Sequence, residues 1–131
     1  MGNKIGVIDV SRLNNPPEKH ELETAKYFAA MGKDITFIRP SSIPNQHRPD
    51  IFMDGLEWEM KAPMGSGKRN IEYNFRKAVT QSKNIIFDLR HVKISEKQCI
   101  TQLEKEFTQR PYLNKLYVIK KNGELLIYPK K

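Results

Sequence analysis

The dipeptide Asp54-Gly55 lies between two strand-like runs in the stretch PDIFMDGLEWEMK, residues 49–61. Asp-Gly is a strong signal for a two-residue hairpin turn, because both central positions need positive φ. Such a turn fixes the register of everything around it. Met53 faces Leu56, Phe52 faces Glu57, Ile51 faces Trp58 and Asp50 faces Glu59. Directly opposed residues lie about 4.5–5.5 Å apart at Cα, so two carboxylates are predicted side by side. Alternation puts Leu56, Trp58 and Met60 on the core face and Glu57, Glu59 and Lys61 on the other. Lys61 then stands beside the carboxylate pair. Opposed like charges destabilise a sheet, and a bridging divalent cation relieves them. Oxygen donors of this kind suit magnesium or manganese. A solvated strand face, with Lys61 as a salt-bridge partner, is the plainer alternative.

The rest of the chain supplies the elements this hairpin packs against. Residues 18–31 have helical spacing through Leu22, Ala25, Phe28 and Ala29, with Gly32 as the stop. Residues 34–39 alternate as a strand, and 40–48 form a loop with Pro40 and Pro44. A second helix is predicted over 68–82, with Ile71, Phe75, Ala78 and Val79 inward. The run NIIFDL, 84–89, is apolar almost throughout, as in a central strand. A third helix follows over 95–109 through Cys99, Ile100, Leu103 and Phe107. Residues 116–119 and 125–128 close the chain as a strand pair around Asn122-Gly123. The order α-β-β-β-α-β-α-β-β specifies an α/β fold, a mixed central sheet flanked by helices. Residues 1–17 are read as a lead-in or linker, in which Ile5, Val7 and Ile8 could form a short strand, and 18–131 as one domain. On a helical wheel Glu21 falls inside the apolar stripe of the first helix, whereas Glu23 falls outside it. An acid facing the sheet needs a partner, because unpaired buried charge is costly.

Charge narrows the function. The chain of 131 residues has 23 Lys plus Arg against 15 Asp plus Glu, net +8. Residues 1–60 carry 7 basic and 9 acidic side chains; residues 61–131 carry 16 and 6. The basic excess therefore sits in the second half, which suits a polyanion, nucleic acid first. No basic amphipathic helix with a Trp/Phe/Leu face appears, and no apolar run reaches the ~18 residues of a membrane span, so no membrane partner is expected. One cysteine, Cys99, excludes an internal disulfide and a multi-cysteine zinc site, and is compatible with a reducing cytosol.

The pieces Pro49-Asp50 and Glu59-Met60-Lys61 resemble the PD-(D/E)XK nuclease signature, and the order helix, three strands, helix, strand is similar to that superfamily's restriction-endonuclease-like core. More narrowly, His20-Glu21, Pro49-Asp50, Gly55, Trp58 to Pro63, and Gln81 to Arg90 resemble the C-terminal tRNA-nuclease domain of CdiA contact-dependent inhibition toxins. The resemblance covers residues 20 to about 119. It implies metal-dependent hydrolysis of a tRNA phosphodiester, with Asp50 and Glu59 as Mg²⁺ or Mn²⁺ ligands, Lys61 as the catalytic lysine and Glu21 as a further acid at the metal. It also implies action in the cytoplasm of a target cell after delivery within a larger secreted protein. Gln81 and Asp88 recur in the motif: Gln81 is a substrate-side candidate, whereas Asp88 reads equally well as structural. A DNA endonuclease of the same fold, of resolvase or repair type, and a basic non-catalytic nucleic-acid-binding module are the alternatives.

Substrate contacts are predicted on the second helix. Arg69, Tyr73, Arg76 and Thr80 cluster opposite its apolar stripe, where two arginines and an aromatic ring suit phosphates and an unstacked base. Lys68, after Gly65-Ser66-Gly67, is a further phosphate candidate at a helix start. The loop lacks the full nucleotide-binding pattern, since Ala62 and Arg69 stand where Gly and Ser or Thr are required. A solvated helix face is the alternative for this cluster. His20, His47 and His91 lie on different elements without metal-ligand spacing. An acidic immunity protein would meet either this basic surface or the carboxylate cleft. The sequence leaves the oligomeric state open.

Overall fold

The Asp54-Gly55 turn forms with φ of 54° and 75°, the positive values a two-residue hairpin demands. In the computed structural model, which describes residues 4–67 and 69–130, it joins β3 (Ile51–Met53) to β4 (Leu56–Lys61). The observed pairs are Met53 with Leu56, Phe52 with Glu57 and Ile51 with Trp58, as the turn dictates. Trp58 is fully buried, and its Nε1 donates to the Met53 carbonyl at 3.0 Å, so the indole clamps the hairpin to itself.

Around this hairpin the described residues build a seven-stranded mixed sheet in sequential order, with three helices. The other elements are β1 (Ile8–Asp9), α1 (Lys19–Ala30), β2 (Ile35–Phe37), α2 (Asn70–Ala78), β5 (Asn84–Asp88), α3 (Glu96–Thr108), β6 (Lys115–Ile119) and β7 (Leu125–Tyr128). β4, β5 and β6 run parallel; β2–β3, β3–β4 and β6–β7 are antiparallel. All five residues of β5 are buried, as its apolar run requires of a strand covered on both faces. One face packs Ile71, Phe75 and Ala78 of α2, with Cys99 and Leu103 of α3, on Ile85 and Phe87. The other packs Ala25, Phe28 and Ala29 of α1 on Ile51, Trp58, Met60 and Ile86.

Three expectations need correction. Residues 1–17 are not all outside the domain: β1 pairs parallel with β2, and the Ile35 N–H donates to the Val7 carbonyl at 2.8 Å. The short strand left open at Ile5, Val7 and Ile8 thus forms at Ile8–Asp9. The second helix ends at Ala78 rather than 82. Beyond it the Ser82 hydroxyl and the Asn84 amide both donate to the Glu57 carbonyl, tying the chain to β4 instead of prolonging the helix. Finally, β4 changes neighbours along its length. Leu56–Trp58 pair with β3, but Glu59–Lys61 pair with Ile85–Phe87 of β5. At that fork the hairpin ladder stops and the candidate site begins.

Candidate active site

Asp50 stands immediately before the first residue of β3. Its backbone N–H donates to the Trp58 carbonyl at 2.9 Å, and its own carbonyl accepts from Ile38 N–H at 2.8 Å. Its side chain takes over where the ladder stops: the Met60 N–H donates to Asp50 Oδ2 at 2.9 Å. That bond turns the carboxyl toward β4, close enough to Glu59 for each to perturb the other's protonation. The predicted carboxyl pair therefore forms, held by a side-chain-to-backbone bond rather than by a regular cross-strand pair.

Glu59 differs from its expectation in burial. It alternates with Trp58 and Met60 as predicted, yet only 2 % of its surface is exposed. The cover comes from Gln81, in the turn after α2. With its amide nitrogen toward the carboxyl, the orientation that satisfies the local donors and acceptors, Gln81 donates to Glu59 Oε1 at 2.7 Å and also to Oε2. The Lys61 Nζ lies 3.3 Å from Glu59 Oε2. Burial and the neighbouring Asp50 charge push the Glu59 carboxyl up to about 8, against the opposing pull of Lys61. Burial also raises Asp50, only partly offset by the Met60 N–H. Two carboxyls this close, Glu59 buried and Asp50 half-buried, hold one proton between them near neutrality.

Glu21 approaches from α1. It is half-buried, as the wheel required, and burial together with Asp50 raises its carboxyl above the ordinary range. Its Oε1 accepts from the Glu18 N–H at 3.0 Å, capping the start of α1. That bond is the partner this acid needed. Among the described residues no three His, Cys, Asp or Glu side chains converge as a metal cage. The donor set that fits a divalent cation is the Asp50–Glu59 pair, whose raised protonation reflects charge that a cation would neutralise.

Asp88 is structural. Its carboxylate accepts from the Thr24 hydroxyl at 2.9 Å and from Arg90 Nε and Nη2 at 2.9 and 2.7 Å, fastening α1 to the end of β5. Burial pushes its carboxyl up, but the Arg90 bonds and charge outweigh this and hold it below the usual range. Glu23, the acid off the stripe, pairs with His91 at 2.8 Å.

The α2 candidates stand apart. Arg69, Tyr73 and Arg76 are all exposed, and none of the three bonds to the carboxyl pair. Arg76 pairs with Glu72 at 2.6 Å, and the Lys77 ammonium sits 4.5 Å from the centre of the Tyr73 ring. Lys68 lies outside the described residues. Sequence reasoning passed over a cleft of about 710 Å³ whose lining includes Glu21, Asp50, the 13–18 segment, Arg39 and Arg48. Its signal was slight: two arginines in a proline-broken loop.

A family model described as the contact-dependent growth inhibition CdiA C-terminal domain matches residues 47–125. The chain belongs to this family. The matched span takes in Asp50, Glu59, Lys61 and Gln81 and leaves out α1 with Glu21. A solved structure described as a CdiA-CT/CdiI toxin and immunity complex from Burkholderia pseudomallei superposes with a TM-score of 0.67. The likeness covers 93% of this chain and 98% of that one at 24% identity, and so speaks for a shared fold. No curated protein matches. Among the described residues of this CdiA C-terminal domain, no helix is long and apolar enough to cross a membrane.

Proposed function

We propose that this CdiA C-terminal domain is a metal-dependent endoribonuclease toxin that hydrolyses tRNA phosphodiester bonds, with a PD-(D/E)XK-type site. The observation that carries the reading is the carboxyl pair of half-buried Asp50 and buried Glu59, with Lys61 and Gln81 against Glu59. A lone structural Glu on a strand does not require a second carboxyl, an ammonium and an amide around it.

Each side chain has a task that follows from its place. Asp50 and Glu59 would hold Mg²⁺ or Mn²⁺, with Glu59 releasing its proton. When bound, the cation supplies Lewis-acid polarisation of the phosphate and activation of a water. Gln81 holds Glu59 in one rotamer. Lys61 keeps a positive charge at the carboxyl edge, where it can orient the attacking water and stabilise charge developing on the phosphate. Glu21 adds negative charge on the Asp50 side. The choice of tRNA over DNA rests on the resemblance carried by His20-Glu21, Trp58 to Pro63 and Gln81 to Arg90. The same reading makes the domain a part of a larger delivered protein acting in a target cell's cytoplasm. It also gives the domain an acidic immunity partner, in line with the complex named for the solved relative.

The test is incubation of the purified protein with total tRNA and with plasmid, in magnesium and in EDTA. Cleavage of tRNA only, and only in magnesium, supports the reading. Plasmid cleavage would transfer the site to DNA, and magnesium-independent cleavage would remove the metal from it.

A further inference from the structure

An acidic site that works on a polyanion has an electrostatic problem. Glu18, Glu21 and Asp50 all line the cleft, and a phosphate chain approaching them is repelled unless cations flank the path. The first sixty residues hold few cations, yet two of them, Arg39 and Arg48, lie in this cleft.

The sheet register puts them there. Phe37 pairs with Ile51, and the Ile38 N–H donates to the Asp50 carbonyl, so the two chains leaving that pair carry Arg39 and Arg48 side by side. Arg48 Nη1 donates to the Arg39 carbonyl at 3.4 Å, which closes the base of the loop. Among the described residues neither guanidinium has a carboxylate within 4 Å. On α2, by contrast, Arg76 is neutralised by Glu72 and the Tyr73 ring is occupied by Lys77. Both cleft arginines are exposed, and Arg48 is two residues from Asp50.

We propose that this cleft is the docking track for the phosphate backbone of a nucleic-acid substrate, with Arg39 and Arg48 binding phosphates that flank the one held at Asp50. The assignment rests on the nuclease reading for the identity of the polyanion. The geometry supplies the track: two exposed guanidinium groups with no carboxylate partner among the described residues, in a cleft of about 710 Å³ whose lining also includes Glu21 and Asp50.

The experiment is binding of labelled tRNA to the full chain in EDTA, which prevents metal-dependent cleavage, followed by anisotropy from ~50 to ~300 mM salt. Each lost phosphate contact flattens the log–log salt slope by about 0.7 on single strands and about 0.9 on duplex. Arg39→Ala with Arg48→Ala should therefore flatten it by about 1.4–1.8 and weaken binding roughly 25- to 60-fold at 0.1 M salt. Arg39→Ala alone, which removes no hydrogen bond of the loop base, should flatten it by about half as much. Lys97→Ala with Lys105→Ala, on the exposed side of α3, removes the same charge and should leave the slope nearly intact. An unchanged slope in both arginine variants, an equal change in the lysine control, or a wild type without salt-dependent affinity would overturn the proposal. Magnesium-dependent cleavage is scored separately on the same proteins. A chain with the arginine-dependent slope but no cleavage keeps the track and loses the nuclease. A chain that cleaves with an unchanged slope does the reverse.

Discussion

Replacing Glu59 by Gln should stabilise the metal-free protein, and the gain should grow with pH. The carboxyl sits at about 8 in the folded chain against 4.5 when free, because burial and Asp50 penalise its charge. A folded-state value above the unfolded one means that the native protein holds the proton more tightly. Stability is then full below about pH 4.5, falls as pH rises, and levels off above about 8. At 1.36 kcal/mol per pH unit the ceiling is about 5 kcal/mol above pH 8, and about 3 kcal/mol at pH 7. Asp50 carries part of the same repulsion, so the Gln variant should recover about 2 kcal/mol at pH 8. For a chain of this size that is a rise in Tm of roughly 5–10 °C. The assay is thermal unfolding of both proteins in EDTA from pH 5 to 9. The wild type should lose stability across that range, and the variant should stay comparatively flat. Manganese at about a hundred times its Kd should restore about 2.7 kcal/mol to the wild type and less to the variant. A gap independent of pH, or a variant less stable at every pH, would refute the electrostatic account of the pair.

Other substitutions separate chemistry from scaffolding. Asp50→Asn keeps an oxygen for the Met60 N–H, whereas Asp50→Ala leaves that donor unpaired and should cost about 1–3 kcal/mol more in denaturant unfolding. Glu21→Gln retains an acceptor for the Glu18 N–H, so it should leave Tm nearly unchanged while lowering cleavage far more than Glu23→Gln in saturating magnesium. Asp88→Asn should cost about 3 kcal/mol in chemical denaturation, because it strands Arg90 beside a neutral group. Its contribution is present above the ordinary Asp value and is lost as pH falls through the lower folded one, so wild type and variant should converge in acid.

Which parts of this architecture were readable follows from how local their causes are. The hairpin register rests on two residues that tolerate positive φ and on the alternation beside them, and it forms as read. The stripe on α1 likewise placed Glu21 toward the sheet and Glu23 away from it. Burial of Glu59 was not readable from the hairpin, because its cover comes from Gln81, 22 residues later. A clue was present in the all-buried β5: a strand covered on both faces also covers the neighbour it pairs with. The end of α2 was missed for a similar reason, since Ser82 and Asn84 bond across to Glu57. β1, left open in the sequence as a short strand or linker, forms at Ile8–Asp9 against the edge of β2. Arg39 and Arg48 share a cleft through the β2–β3 register, which no periodicity in the 40–48 loop encodes.

The central claim is that Asp50, Glu59 and Lys61 form a hydrolytic site for tRNA. Single-turnover tRNA cleavage in saturating magnesium, measured for the wild type, Asp50→Asn, Glu59→Gln and Lys61→Ala with folding checked by circular dichroism, tests it most directly. The account predicts cleavage by the wild type and none by any of the three folded variants. Three folded variants that still cut tRNA at the wild-type rate would contradict it.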